Sequence, residues 1–217
     1  VIFGSGGFAR ETRQIVEDLN EEGADWQLLG FLDENSNYYG NELHGLPVLG
    51  GVEWLQKYPH TAVAVAIANS AVRRRIVLDL SRAAHAEFAT LVHPLVWSSN
   101  RVDIGPGTVI DAGALISPDV RIASHVILNN NCTIGHDTVL EDYATVAPNA
   151  SVSGAVRVGE GCDLGANCTI IQRKSIGHWS IIGAGAVVVK DVPPNVTAVG
   201  VPAEAIKKRP EGWYRDL

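Results

Sequence analysis

From Ile104 onward a branched aliphatic residue returns at every sixth position: Ile104, Ile110, Ile116, Ile122, Leu128, Ile134, Leu140, Val146, Val152, Val158, Leu164, Ile170, Ile176, Ile182 and Val188. Such residues make up about a quarter of an ordinary chain, so an unbroken run of this length is not chance. A second series follows four positions behind: Thr108, Ala114, Val120, Val126, Cys132, Thr138, Ala144, Ala150, Val156, Cys162, Cys168, Lys174, Ser180, Ala186 and Val192. All but Lys174 are small or β-branched. A period of six belongs neither to a helix, whose apolar face repeats every 3.6 residues, nor to a two-residue strand alternation. It fits a solenoid of short strands and tight corners, with one large and one small side chain per strand pointing inward. Glycines recur just after the large position, at Gly105, Gly135, Gly159, Gly165, Gly177 and Gly183. Permissive backbone angles at a corner are the expected reason. Cys132, Cys162 and Cys168 all fall in the small inward slot, where a free thiol packs as a small apolar group.

The first ninety residues follow a different rule. Strands are expected at 1–3, 26–33, 61–68 and 88–92, with helices at 10–20, 52–58 and 70–84, an alternation that predicts a small parallel sheet flanked by helices. The chain therefore divides into an α/β domain over 1–93, a solenoid over 94–192 and a capping segment over 193–217. Gly4, Gly6 and Ala9 have the G-x-G-x-x-A spacing between a strand and a helix, which would turn backbone N–H groups and a helix N-terminus toward a phosphate. Asp33 ends the second strand, where it could accept hydrogen bonds from a ribose or a base. The Arg73–Arg75 run reads most simply as a solvated helix face.

Composition removes several classes. The formal charge of −7 disfavours a nucleic-acid partner. No apolar run reaches the ~18 residues of a membrane span. Three cysteines without a paired pattern suit a reducing cytoplasm better than a disulfide framework.

Taken together, the two halves resemble the bacterial sugar O- and N-acyltransferases of the hexapeptide-repeat group, which include sialic acid O-acetyltransferases and enzymes acetylating UDP-4-amino-sugars. The resemblance rests on Gly4-Ser5-Gly6-Gly7-Phe8-Ala9-Arg10, Phe31-Leu32-Asp33, Ala66-Ile67-Ala68-Asn69 with Arg73, the block from Asn129 to Asp137, and Gly200-Val201-Pro202-Ala203. It implies a left-handed parallel β-helix of three hexads per coil, a homotrimer with active sites between prisms, and acetyl-CoA as cosubstrate with no metal. It also implies a nucleotide-sugar held by the front domain through Gly4, Gly6, Gly7, Arg10, Asp33, Asn69 and Arg73, with Asn129 on the acceptor sugar.

The same resemblance points to His136 as general base. It stands third in its hexad, off the inward slot, and an imidazole suits proton transfer near neutrality. An acidic neighbour would orient it: Asp137 by residue match, with Asp142 one hexad on as the other choice. Gly154, eighteen residues beyond His136, would stack over it and turn its N–H toward the thioester carbonyl. Acetyl-CoA would lie along Ala166, Gly183 and Ala184, its phosphates near Lys190, with Lys207, Lys208 and Arg209 as further choices. Two positions depart from the family pattern: Phe8 and Thr145 stand where relatives often carry His.

The expected reaction is transfer of acetyl from acetyl-CoA to the amino group of a nucleotide-activated amino-sugar, by direct transfer in a ternary complex. O-acetylation of sialic acid or another sugar hydroxyl is the alternative. A γ-carbonic-anhydrase-like metal enzyme would need three converging histidines, a spacing that His125, His136 and His178 do not have. A nicotinamide oxidoreductase or a non-catalytic scaffold fits the solenoid less well.

Overall fold

The computed structural model describes residues 1–84 and 86–216. Its front domain runs β1 (Ile2–Phe3), α1 (Gly7–Glu21), β2 (Phe31–Leu32), β3 (Glu42–Leu43), β4 (Leu46–Gly50), α2 (Val52–Lys57), β5 (Ala62–Val65), α3 (Ser70–Ala84) and β6 (Glu87–Phe88). The sheet order is β3-β4-β2-β1-β5-β6, parallel except for the β3–β4 hairpin. β1 lies between β2 and β5, so the loop at its end sits at a topological switch point, where ligands of open α/β sheets bind. The hairpin was not anticipated from the sequence; it turns through His44 and Gly45, both at positive φ. The strand expected over 88–92 is two strands: β6 closes the front sheet, and Leu91–Val92 is the first rung of the solenoid.

The solenoid is a three-sided left-handed β-helix. Its first face stacks eight strands from Leu91–Val92 to Glu204–Lys208, its second six from Trp97–Ser98 to Val187–Val188, and its third five from Val102–Ile104 to Ser175–Ile176. Rungs pair in parallel with partners eighteen residues apart, as in Val109↔Ile127 and Thr133↔Ser151, until the first face ends with Glu204–Lys208 antiparallel to Val196–Val199. The large and small inward series form one continuous core; Lys174 is its half-buried exception. The three thiols are free and buried, and burial pushes them up to about 12, 12 and 11 for Cys132, Cys162 and Cys168.

The corner glycines are there for a different reason than expected. None of the six has a positive φ. A Cβ on Gly135 would stand 2.5 Å from the Gly154 nitrogen, and one on Gly177 would stand 2.3 Å from the Pro194 nitrogen. Close approach of the next coil's backbone demands glycine there. The left-handed corner angles fall two residues later, on Asn131, Asp137, Asn149 and Asn167 among others, types that tolerate that region better than most.

The two domains are joined by a buried polar interface. Arg73 of α3 is 1% exposed. Its Nε donates to the His125 carbonyl, Nη1 to the carbonyls of Ile67 and Ala68, and Nη2 to the Tyr143 carbonyl and the Thr145 hydroxyl. Ser70 donates to Asp163 at 2.5 Å and meets the Thr145 hydroxyl at 3.0 Å. Burial lowers Arg73 to about 10, opposed by the Asp163 carboxylate; it remains a cation at neutral pH. Arg73 is thus an interdomain staple with its donors spent on both domains, which corrects its expected contact with the sugar and its place in a solvated face; Arg74 and Arg75 stay partly exposed and pair with Glu160 and Glu34. Thr145 serves the same staple. Beside it His125 packs edge-on to Phe88 at 4.6 Å and flat against Tyr143 at 5.5 Å. At the far end the tail crosses back, and Tyr214 stacks on buried Trp179 at 3.7 Å with Arg74 5.5 Å above its ring.

Arg73→Met should cost on the order of 3 kcal/mol, because four buried carbonyls and Asp163 lose their donor or counter-charge; Arg73→Lys should recover only part in urea titrations. Burial, helped by the Arg73 cation, lowers His125 from 6.5 to about 4. The fold therefore needs this ring neutral, and its contribution is complete above pH 6.5 and lost as pH falls toward 4. Unfolding free energies at pH 7 and pH 5 should differ more in the parent protein than in His125→Gln.

Candidate active site

Two groups of polar residues lie outside the core, and the fold places them on different elements. The first surrounds the loop after β1. Gly4 has φ +106, and a Cβ there would meet the Ala66 carbonyl at 2.9 Å, so the loop can turn only on glycine. Gly6 caps α1 with no side-chain hydrogen bond, and nothing stands within 4 Å of where its Cβ would be. The first-turn N–H groups of α1 consequently face open space, an arrangement that receives anions. Arg10 is exposed one turn on. Asp33 is held by Ser5 at 2.5 Å and by the Asn35 N–H at 2.9 Å.

His44, from the unanticipated hairpin, completes this rim with Nε2 3.2 Å from the Ser5 carbonyl. The His-Gly pair between Leu43 and Leu46 was the available signal for it. Asn69, expected on the sugar, is exposed and accepts from the Val72 N–H, capping α3.

The second group occupies the corner between the second and third faces of the solenoid. His136 is exposed, and its Nδ1 lies 2.7 Å from Asp137 Oδ2. Asp142 accepts from the Ser124 N–H at another corner, so of the two acidic choices only Asp137 reaches the ring. Gly154 lies directly against the imidazole: a Cβ there would be 2.6 Å from His136 Nε2. Its carbonyl accepts from the Arg173 N–H. Among the described residues nothing accepts from its own N–H. A ring with one nitrogen held by a carboxylate and the other facing outward over a free amide can take a proton while a developing oxyanion finds a donor.

Asn129 belongs to a third place, the corner between the first and second faces, where its side chain donates to the Val146 carbonyl. Gly165, Ala166, Gly183 and Ala184 continue that corner down the prism; a Cβ on Gly165 would reach the Ala184 nitrogen at 2.6 Å. Lys190 lies on the His136 corner, exposed, with Nζ 4.0 Å from Glu204. Of the tail cations, Arg209 lies over the Trp213 ring at 4.5 Å, while Lys207 and Lys208 are exposed on the last strand. One chain therefore does not bring His136 together with Asn129 or with the β1 loop. Among the described residues no group of three His, Cys, Asp or Glu could hold a metal ion, and no helix is long and apolar enough to cross a membrane.

Comparison with known proteins addresses both halves. Residues 1–80 match the PglD N-terminal domain family. Perosamine N-acetyltransferase from Caulobacter crescentus, solved with CoA and GDP-perosamine, superposes with a TM-score of 0.84 at 29% identity, covering 95% of this chain and 96% of that one. The acetyltransferase domain of PglB from Neisseria gonorrhoeae FA1090, solved with acetyl coenzyme A, gives 0.84 at 28% over 94% and 97%. WeeI from Acinetobacter baumannii AYE gives 0.86 at 28% over 94% and 98%.

Sequence relatives match shorter stretches. The galactoside O-acetyltransferase of Escherichia coli is 56% identical over 34 residues, 16% of this chain and 17% of its own. A serine acetyltransferase of Buchnera aphidicola is 31% identical over 123 residues, 56% and 41% of the two chains. The chain spans less than half the length of these curated relatives. These structural matches run along nearly the whole chain, front domain and β-helix alike. The chain is thus similar along nearly its whole length to acetyltransferases solved with CoA or acetyl-CoA, and its first 80 residues match the PglD N-terminal domain.

Proposed function

We propose that the protein transfers the acetyl group of acetyl-CoA to the amino group of a nucleotide-activated amino-sugar. The observation that carries this is the His136–Asp137 pair standing over the free N–H of Gly154, in a fold shared along its whole length with proteins solved with acetyl-CoA or with CoA and GDP-perosamine. The neutral amine attacks the thioester carbonyl while His136 Nε2 removes its proton. Asp137 holds the Nδ1–H and steadies the imidazolium that forms. The Gly154 N–H donates to the oxyanion. Collapse breaks the C–S bond, leaves the amide, and returns the proton from His136 to the departing thiolate. Both substrates are bound at once, and no acetyl-enzyme forms.

The nucleotide-sugar belongs at the β1 loop, with its phosphates on the N-terminus of α1 beside Gly6, Gly7 and Arg10, and its nucleoside toward Asp33. CoA follows the small residues Ala166, Gly183 and Ala184, with Lys190 supplying a cation.

Assembly as a homotrimer supplies what one chain lacks. The outward residues of the second face are Trp97, Leu115, Thr133, Ser151, Thr169 and Val187, none charged, and Trp97 and Leu115 remain 58% and 41% exposed. The third face by contrast presents Asp103, Arg121 and Arg157, and the first is covered by the front domain. Apposing uncharged second faces around a threefold axis sets the Asn129 corner of one copy against the His136 corner of the next. Each site then takes its acceptor-binding residues from one copy and its base from another.

O-acetylation is the second reading, favoured by the matched stretch of galactoside O-acetyltransferase. The same base and oxyanion donor serve a hydroxyl.

Free-thiol release with acetyl-CoA and a panel of nucleotide amino-sugars and sialic acid tests the proposal. Release with an amino-sugar should fall on the order of a hundredfold or more in His136→Ala; release with sialic acid alone would move the function to O-acetylation, and failure to bind acetyl-CoA would refute acyl transfer. Gly154→Ala should push the imidazole aside and reduce kcat on the order of tenfold to a hundredfold, with thermal stability nearly unchanged. Leu115→Arg should yield a monomer by light scattering and lose activity together with assembly.

A further inference from the structure

A crevice runs between α1 and the corner joining the first and second faces of the solenoid, and the reaction as described leaves it unused. It encloses about 250 Å³ and is lined by Glu11, Gln14 and Asp18 from one side of α1 and by His93, Asp111 and Asn130 from the solenoid. Asp18 is already satisfied, with Oδ2 2.7 Å from His93 Nε2 and Oδ1 accepting from Gln14 at 2.8 Å. Asp111 is not. It is 5% exposed, one carboxylate oxygen accepts from the Ala112 N–H at 2.7 Å, and the other is buried with no donor among the described residues. A buried carboxylate oxygen without a donor is a strong demand for one. Glu11 stands beside it, and burial together with the Asp111 charge raises the Glu11 carboxyl above its usual range.

The position of this pair relates it to the acceptor. Glu11 lies one turn into the helix whose N-terminus faces open space at Gly6, and on the other side of the crevice Asn130 adjoins Asn129. A sugar whose diphosphate sat on the start of α1 would reach the solenoid corner here. Two carboxylates exclude the phosphates themselves from the crevice. The occupant they suit is a hydrogen-bond donor.

We propose that Asp111, with Glu11 beside it, reads the sugar ring, accepting a hydrogen bond from a hydroxyl or ammonium on the ring edge away from the reacting amine and so selecting sugars that carry such a donor. This assignment rests on the acetyl-transfer reading above. A site built to hydrogen-bond a substrate group rejects the analogue that lacks it, because its own buried polar atom is then left unpaired.

Asp111→Asn tests this, since it keeps the size and the bond to Ala112 but places an amide N–H₂ where the unpaired oxygen was. Steady-state rates would be measured with acetyl-CoA and two nucleotide amino-sugars matched except that one bears a ring hydroxyl and the other is deoxy there. The parent protein should prefer the hydroxyl sugar, and the substitution should lower that preference by about tenfold or more, chiefly through KM. A merely structural role would slow both sugars equally, and that result, or an unchanged preference, overturns the proposal. Glu11→Gln, on the exposed side of the crevice, carries the same expectation at smaller size if Asp111→Asn does not fold. Absence of turnover by the parent protein with every acceptor would refute acetyl transfer itself, and this assignment with it; turnover with unchanged preference would refute the assignment alone.

Discussion

Every functional position in the solenoid depends on coils stacking in register, eighteen residues to a turn. Each rung holds its neighbour by backbone hydrogen bonds and by an inward pair of side chains whose combined size fits the prism. Because register cannot slip without exposing that pair, the corners align as columns. His136 lies against Gly154 for this reason, and Gly135 must be glycine because the backbone at Gly154 descends onto it. The His136 imidazole, the Asp137 carboxylate and the Gly154 amide are thus brought together by the fold's own repeat, without a dedicated loop.

The second constraint is the buried charge between the domains. Burying a guanidinium is costly unless it is fully hydrogen-bonded, and Arg73 meets that condition with backbone carbonyls from both domains. Such an interface gives rigidity rather than great stability. Thr145 and Ser70 belong to it. A histidine at Thr145, frequent in relatives, would here stand under α3 instead of at an acceptor.

How much of this was legible in the sequence follows from the range of the forces involved. The period of six reports local, repeated packing, so the β-helix, its inward residues and the column of His136 over Gly154 could be read without coordinates. Arg73 was misplaced because its partners are set by long-range packing: a carbonyl at Tyr143 leaves no mark in the composition around Arg73. The hairpin at 42–50 escaped for want of a strong period in either strand, and His44 with it. The glycines were found for the wrong reason, since a sequence reveals a missing side chain but not what fills its space.

The separation of the polar groups within one chain bears on how such a protein divides its labour. The proposed base His136, its carboxylate Asp137 and the proposed oxyanion donor Gly154 ride on the regular part of the solenoid, where any substitution must satisfy two neighbouring coils. The groups proposed to face the acceptor come from the β1 loop, the hairpin, α1 and a different solenoid corner, which are joined by a few side-chain contacts such as His44 to Ser5 and His93 to Asp18. Changing which sugar is bound therefore requires changes on the α1 side of the crevice or at Asp111, neither of which touches the His136 column. Chemistry is confined by the repeat, while recognition is left to the elements that the repeat does not govern.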